Sequence, residues 1–410
     1  MSLSKWTLAL VLSAAGASAQ AEPMTFDQAL ASAAETAPGL KAATLRVDAA
    51  RSAVRGAGAL PDPKLAFGIE NVPISGPMAG RLGADEMTMA SIGVMQDIPS
   101  GPARRAEAGR ALADIVLAQA QASVEARSVR LAAAQAWVDL HYARARLAAL
   151  DDVAGTLEPM LEAAPSAVTR GARPAEILAA QEWRLALADR RSVLVADAAR
   201  ARAALARWTG DPEADVTGHS PALEVDAVRL RAGLDRHATL IAQDAGVRVA
   251  DADLTAAKAA VAPDWSWELA YQRRDPMFGD MLTARVTVSL PIRRDRRQGP
   301  AIDARTTEAA RARVDRETAR RDLVAALDAD LADQRLRQDL WARARDGRLP
   351  LAQRRADLET VSYAAGGAGL PEVLAAFTAL ADVRLDVLDK EAEAMRGAVR
   401  INLAYGSDAE

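Results

Sequence analysis

Residues 171–180 read GARPAEILAA and residues 367–376 read GAGLPEVLAA, so one pattern of turn and helix start occurs twice in the chain. Their glutamates, Glu176 and Glu372, set an offset of 372 − 176 = 196 residues. Each copy then closes on a helical segment ending in glycine, Leu205-Ala206-Arg207-Trp208-Thr209-Gly210 against Ile401-Asn402-Leu403-Ala404-Tyr405-Gly406, at the same spacing. Upstream, Leu60-Pro61-Asp62 recurs as Ala262-Pro263-Asp264, an offset of 263 − 61 = 202. A repeat this long within 410 residues predicts a tandem duplication. Residues 20–210 form the first copy and 226–406 the second. The turn-rich stretch 211–225, with its Asp211-Pro212 helix stop, is the linker, and 407–410 is a tail.

The hydrophobic periods run in the same order in both copies: helix, two strands, long helix, tight turn, long helix. Helices are predicted over Phe26–Gly56, Pro102–Leu161 and Glu176–Trp208, then over Ala227–Ala260, Gly299–Val361 and Pro371–Leu403. Strands are predicted over Lys64–Asn71 and Met87–Ile98, then over Trp265–Arg273 and Leu282–Pro291.

The strands alternate. Trp265, Trp267, Leu269 and Tyr271 share one face, opposite Ser266, Glu268 and Gln272, and Ala284, Val286, Val288 and Leu290 likewise oppose Thr283, Arg285, Thr287 and Ser289. That alternation suits two surface hairpins lying on a helical core, and it also suits transmembrane β-strands. A lone hairpin is marginal in water, and a bilayer tolerates no open sheet edge, because each unpaired backbone group there costs several kcal/mol. If the strands lie in a membrane, identical chains must therefore join to close a barrel. Trp265, Trp267, Tyr271 and Phe278 then suit an aromatic girdle at the membrane interface, or else a core cluster.

The helices are too long for a globule, since Pro102–Leu161 alone spans about 90 Å at about 1.5 Å per residue. In the next helix Leu178, Gln181, Leu185, Ala188, Ser192, Val195, Ala199, Arg202 and Ala206 step by threes and fours. Adding 196 gives Leu374, Phe377, Ala381, Arg384, Leu388, Glu391, Met395, Ala398 and Asn402, the same seam in the second copy. A sustained period near 3.5 predicts left-handed coiled-coil packing. A coiled-coil spacer shares this signal, but a water-filled helical tube also explains the polar seam positions and the strands.

Composition narrows the function. Half of the residues are hydrophobic, 26% are charged and 4% aromatic, with a formal net charge of −4, which fits a folded, helix-rich chain and leaves no nucleic-acid footprint. Lys5, the apolar run Trp6–Gly16 and Ala17-Ser18-Ala19 predict an export signal over residues 1–19. There is no cysteine, which excludes disulfides, thiolate metal sites and a lipid-modified N-terminal cysteine. His141, His219 and His237 are scattered, no nucleotide loop or nucleophile motif occurs, and Met87, Met89 and Met95 suit packing as well as a soft ion. The expectation is a chain without catalytic, cofactor or metal sites.

The stretches Leu60-Pro61-Asp62-Pro63-Lys64-Leu65, Phe67-Gly68, Asn71-Val72-Pro73, Met87-Thr88-Met89 and Gly93-Val94-Met95-Gln96-Asp97-Ile98-Pro99 are similar to those of TolC-type outer-membrane factors. The likeness runs from Met24 to Gly406 and is greatest to the heavy-metal branch (cobalt, zinc and cadmium, or copper and silver). The resemblance implies a mainly α fold with a membrane β part: a long α-helical coiled-coil barrel plus a β-barrel formed by a homotrimer, four strands per chain. It implies an outer-membrane location, a periplasmic adaptor and an inner-membrane RND-type transporter as partners, and a passive duct. Drug efflux or type I secretion by the same channel type is the alternative, followed by a soluble periplasmic coiled-coil adaptor.

The family's second tip carries an acidic pattern whose counterpart here is Leu370-Pro371-Glu372-Val373-Leu374-Ala375, with one acid, Glu372, and Ala375 in place of the other. Glu372 is thus a candidate for the periplasmic gate, and it equally suits a helix's first turn. The first tip, Arg170-Gly171-Ala172-Arg173-Pro174-Ala175-Glu176, is basic. Arg170, Arg173 and Glu176 are gate candidates there, while solvated charges account for the arginines as well. Gly171, Gly367 and Gly369 are candidates for turns that contact adaptor or pump.

Overall fold

A computed structural model of the chain describes residues 23–81, 86–168 and 175–406. The predicted export signal and the first-tip residues Arg170, Gly171 and Arg173 lie outside the described residues. The described residues form two compact units, one drawn from residues 23–36, 132–168, 175–223 and 336–399, the other from residues 37–81, 86–131, 224–335 and 400–406. Each unit draws on both repeats.

The second unit holds one four-stranded antiparallel sheet, β1 (Lys64–Glu70), β2 (Met89–Ile98), β3 (Trp265–Arg273) and β4 (Met281–Val288), in the order β1-β2-β3-β4. The two hairpins, one per repeat, are joined by β2 pairing with β3, with Val94 opposite Leu269 and Ile98 opposite Trp265. Strand β1 stops where Asn71 turns to φ 59°, a left-handed conformation that asparagine tolerates.

The predicted first helix of each copy is broken at corresponding places. In the first copy it becomes α1 (Phe26–Thr36) and α2 (Pro38–Val54), because Pro38 cannot donate to α1 but is preorganised to start α2. In the second copy it becomes α5 (Ala227–Gly233), capped by Asp226, and α6 (Ala238–Ala259), capped by His237, whose Nδ1 accepts from the Thr239 N–H at 3.1 Å.

After the strands, α3 (Gly101–Val168) and α7 (Gly299–Ala342) both begin at Gly-Pro. With 68 residues, α3 is about 100 Å long. The predicted Gly299–Val361 helix is not continuous. A π-turn over Arg343–Arg348 separates α7 from α8 (Leu349–Ala364), and the Leu349 N–H reaches back five residues to Ala344 O just before Pro350. Pro350 has no N–H and its ring would strike the carbonyl four residues earlier, so the ladder widens by one residue. A second π-turn, Arg294–Gln298, precedes Pro300 in the same way.

The other helical stretches are α4 (Ala175–Thr209) and α9 (Leu370–Tyr405). In the second unit, the end of α9 packs Ile401 and Tyr405 against Leu230, Leu234, Leu327 and Leu331. Its last carbonyls are taken up by the buried Arg127, which donates to Ala404 O at 2.8 Å and Gly406 O at 2.7 Å, a cation placed where the helix dipole favours one.

In the first unit, α3, α4, α8 and α9 share a core of Leu150, Val153, Leu157 and Leu161 with Leu370, Val373, Leu374 and Phe377. Trp183 donates to Thr378 Oγ1 at 2.9 Å, and Arg–acid pairs such as Arg184–Glu158, Arg190–Asp382 and Arg146–Asp389 tie the helices together. These half-exposed pairs set register more than stability, at about 0–1 kcal/mol each.

Candidate functional site

The pairing register stacks one apolar face across all four strands. Leu65, Val94, Leu269 and Ala284 form one row, and Phe67, Ile92, Tyr271 and Leu282 the next. This face is bare: Phe67 is 72% exposed and Leu282 69%. The opposite face carries Lys64 bonded to Asp97 at 2.6 Å, Arg285 to Glu268 at 3.1 Å, and Gln272 to Glu70 at 3.1 Å. Charged groups on that side neutralise one another, whereas among the described residues nothing covers the apolar side.

Among the described residues, the outer edges of β1 and β4 have no strand partner. The two edge strands run in opposite directions, so β4 of one copy matches β1 of the next as an antiparallel neighbour. Such a head-to-tail contact generates a ring when it closes.

The aromatics expected to form an interfacial girdle or a core cluster do not stand at one level. Trp265 and Trp267 stand at the end of β3 nearest the helices, while Tyr271 lies toward the hairpin tip, with Phe278 in the tip itself. Tyr271 donates to Asp280 in the tip, and Arg274 donates to Phe278 O at 2.6 Å. The period-2 register puts Trp265, Trp267 and Tyr271 on one face but spreads them along it.

In the helices, the seam predicted for the second copy is buried or half-buried, as at Leu374, Phe377, Ala381, Met395 and Ala398. The first copy's seam is half-buried only at its end, at Arg202 and Ala206. Leu178, Gln181, Leu185, Ala188, Ser192 and Val195 are exposed, and α4 turns a different stripe, Ala180, Leu194, Ala201 and Leu205, toward its own chain. Leu185 is 69% exposed, and α8 shows a matching bare stripe of Leu351, Leu358 and Val361, the first 70% exposed. Both helices carry one apolar face more than the described residues cover.

At the second tip α8 ends in a Schellman motif. Gly367 N–H donates to Ser362 O at 2.8 Å and Gly366 N–H to Tyr363 O at 3.0 Å. Gly366, at φ +78°, is the left-handed residue, so the turn depends on it and not on Gly367 or Gly369. Glu372 is exposed in the first turn of α9. Its carboxylate folds back over Gly369, where an added Cβ would stand 2.8 Å from Oε2. Glu176 occupies the first turn of α4 and is half-buried.

A polar chain that sequence reading missed lies in the first unit. His141 stacks on the fully buried Trp137, its Nε2 is 3.2 Å from Ser220 Oγ, and Ser220 is 3.4 Å from the Tyr142 hydroxyl, which also bonds Glu391. Burial pushes Tyr142 up to about 12, raises Glu391 and lowers His141. The unfolded chain takes up the imidazole proton near 6.5 and the folded chain only at lower pH, so acid below 6.5 favours unfolding through His141. Glu391 has the opposite sign: its extra stability is present at low pH and lost as pH rises through the raised value. The thermal midpoint of His141→Gln is therefore expected to fall less than that of the parent between about pH 7 and about pH 5.5. Equal falls would refute this assignment.

Among the described residues, no three His, Cys, Asp or Glu side chains gather where they could hold a metal ion, and no helix is long and apolar enough to cross a membrane.

No protein-family profile matches the sequence, and no curated protein matches it. Solved structures do. The chain is similar to CusC, whose crystal structures concern conformational changes accompanying folding and transmembrane channel formation, with TM-score 0.75 and 16% identity over 93% of this chain and 92% of that one. It is similar to the CmeC outer membrane channel of Campylobacter jejuni, with TM-score 0.77 and 12% identity over 94% and 87%. It is also similar to the outer membrane protein VceC of Vibrio cholerae, with TM-score 0.75 and 16% identity over 94% and 97%. The fold is therefore that of these channels, helices and sheet together.

Proposed function

We propose that the chain is one protomer of an outer-membrane channel in a Gram-negative tripartite efflux pump, a passive duct served by a periplasmic adaptor and an inner-membrane transporter. The observation that carries this reading is the sheet, with one bare apolar face, one polar face and two open edges of opposite direction. In lipid the apolar face is satisfied, and the edges are satisfied only if copies of the chain close a ring. Two copies would give 2 × 4 = 8 strands, a barrel that side chains fill, whereas three give 3 × 4 = 12 and leave a lumen. The bare stripes on α4 and α8 support the same ring through its helices. The fold shared with CmeC and VceC supports the outer-membrane location.

Cell fractionation tests the reading. The chain is expected with the outer membrane and to need detergent for release; recovery in the soluble periplasm would favour a coiled-coil adaptor and overturn it.

Heavy-metal cations are the proposed cargo, supported by the strand-flanking motifs from Leu60 and Met87. CusC, CmeC and VceC match the fold about equally well, so the fold does not rank this cargo above drugs or secreted protein. A deletion strain is expected to lose tolerance to zinc, cadmium, cobalt, copper or silver; unchanged tolerance to all five would reject the metal cargo.

Glu372, exposed at its helix start, is proposed to bring three carboxylates together at the periplasmic mouth, where a ring of one sign favours cations. Arg170, Arg173 and Glu176 are proposed to set the charge of the other tip, and the turns at Gly171, Gly367 and Gly369 to contact adaptor or pump. Glu372→Gln is expected to lower cation preference in planar-bilayer recordings; identical selectivity and conductance would remove Glu372 from the constriction.

A further inference from the structure

The stretch after β4 reads Ser289-Leu290-Pro291-Ile292-Arg293-Arg294-Asp295-Arg296-Arg297-Gln298, and Arg293 through Arg297 are all exposed. Elsewhere in this unit arginines pair with aspartates across helices, as Arg231 does with Asp328 at 2.7 Å and Arg316 with Asp244 at 3.0 Å. This run is different. Its one ion pair joins neighbours, Arg296 and Asp295, at 3.7 Å in open solvent, and Arg293, Arg294 and Arg297 have no carboxylate partner among the described residues.

The arginines stand where the apolar face of the sheet ends. Val286, Val288 and Leu290 are exposed on β4 and its continuation, and Ile292 is 82% exposed immediately before Arg293. A groove of about 470 Å³ opens beside them, lined by Arg297, Gln298, Ser289, Leu290 and Asp264, the last already accepting from the Ser100 N–H at 2.7 Å. Within it Gln298 Oε1 is buried and has no donor. A second groove, of about 500 Å³, between the start of α3 and the end of α6, adds Arg105 and Lys258.

We propose that the Arg293–Arg297 run and its groove form a binding surface for anionic glycerophospholipid headgroups at the helix-side rim of the barrel. The inference rests on the channel reading, which puts the aliphatic stripe in hydrocarbon and so puts the guanidinium groups at the depth of the lipid phosphates. Guanidinium forks match phosphodiester oxygens, and the adjoining aliphatic side chains give the acyl chains a surface to lie on. A headgroup hydroxyl, such as that of phosphatidylglycerol, supplies the donor that Gln298 Oε1 lacks.

The test is native mass spectrometry of the full-length oligomer extracted in detergent, titrated with phosphatidylglycerol or phosphatidylcholine. The parent protein is expected to retain phosphatidylglycerol by at least about tenfold over phosphatidylcholine, and R293Q/R294Q/R296Q/R297Q to lose that preference while keeping its subunit number. Inorganic phosphate is expected not to displace the lipid; displacement would reassign the arginines to a soluble anion. A quadruple variant that keeps its lipid preference but changes ion selectivity would put the arginines in the lumen and overturn the inference. A detergent-extracted oligomer with no preference for either lipid overturns this inference alone, whereas a water-soluble monomer overturns the channel reading with it.

Discussion

Leu269→Arg is expected to abolish assembly in the membrane. Leu269 lies in the middle of β3, flanked by Val94 and Ala284 across the ladder, on the bare apolar face. An arginine at the midplane of a barrel's lipid face costs about 2–4 kcal/mol, and a ring repeats that cost in each copy. Over three copies that is about 6–12 kcal/mol, as large as the whole stability of a typical domain at about 5–15 kcal/mol, so little is left to hold the assembly together. Thr287→Arg, on the polar face of the neighbouring strand, is the matched control and is expected to assemble. Heat-shift electrophoresis of outer-membrane extracts reads both. A Leu269→Arg protein that accumulates and resists dissociation like its parent would show that this face does not meet lipid.

The double variant Leu178→Asp/Leu185→Asp is expected to release subunits from the ring without unfolding them. Both side chains are exposed in the single chain, so their loss leaves its own core intact, as helical circular dichroism would show. Full burial of a leucine contributes about 1.5–3 kcal/mol, so each interface loses about 3–6 kcal/mol before the cost of burying aspartates is added. Dissociation is therefore expected at micromolar concentrations in detergent, measured by sedimentation. An unchanged subunit number would mean that α4 meets water along this stripe.

Features carried by a few neighbouring residues were legible in the sequence. The span of β3, Trp265–Arg273, follows from its alternation, and the second-copy seam from its steps of three and four. The pairing of β2 with β3 was not legible, because residues about 170 positions apart leave no local mark of their partnership. Two helix breaks were announced by Pro38 and Pro350, but the apolar period runs on through both and hides them.

On α4 two stripes obey the same period, and only burial separates the one that faces its own chain from the one that does not. At the second tip three glycines lie close together, and the hydrogen bonds single out Gly366. The His141–Ser220–Tyr142–Glu391 chain joins the linker to α3 and α9, and nothing in its spacing points to it.

Because the chain contains no cysteine, introduced pairs report directly on whether β4 of one copy pairs with β1 of the next. Ala66→Cys on β1 can be combined in turn with a cysteine at Met281, Thr283, Arg285 or Thr287 on β4, then oxidised in the membrane and run on a denaturing gel. At least one pair is expected to yield a ladder of two and three linked chains that stops at three. Single chains from all four pairs, in protein that resides in the outer membrane, would contradict that pairing.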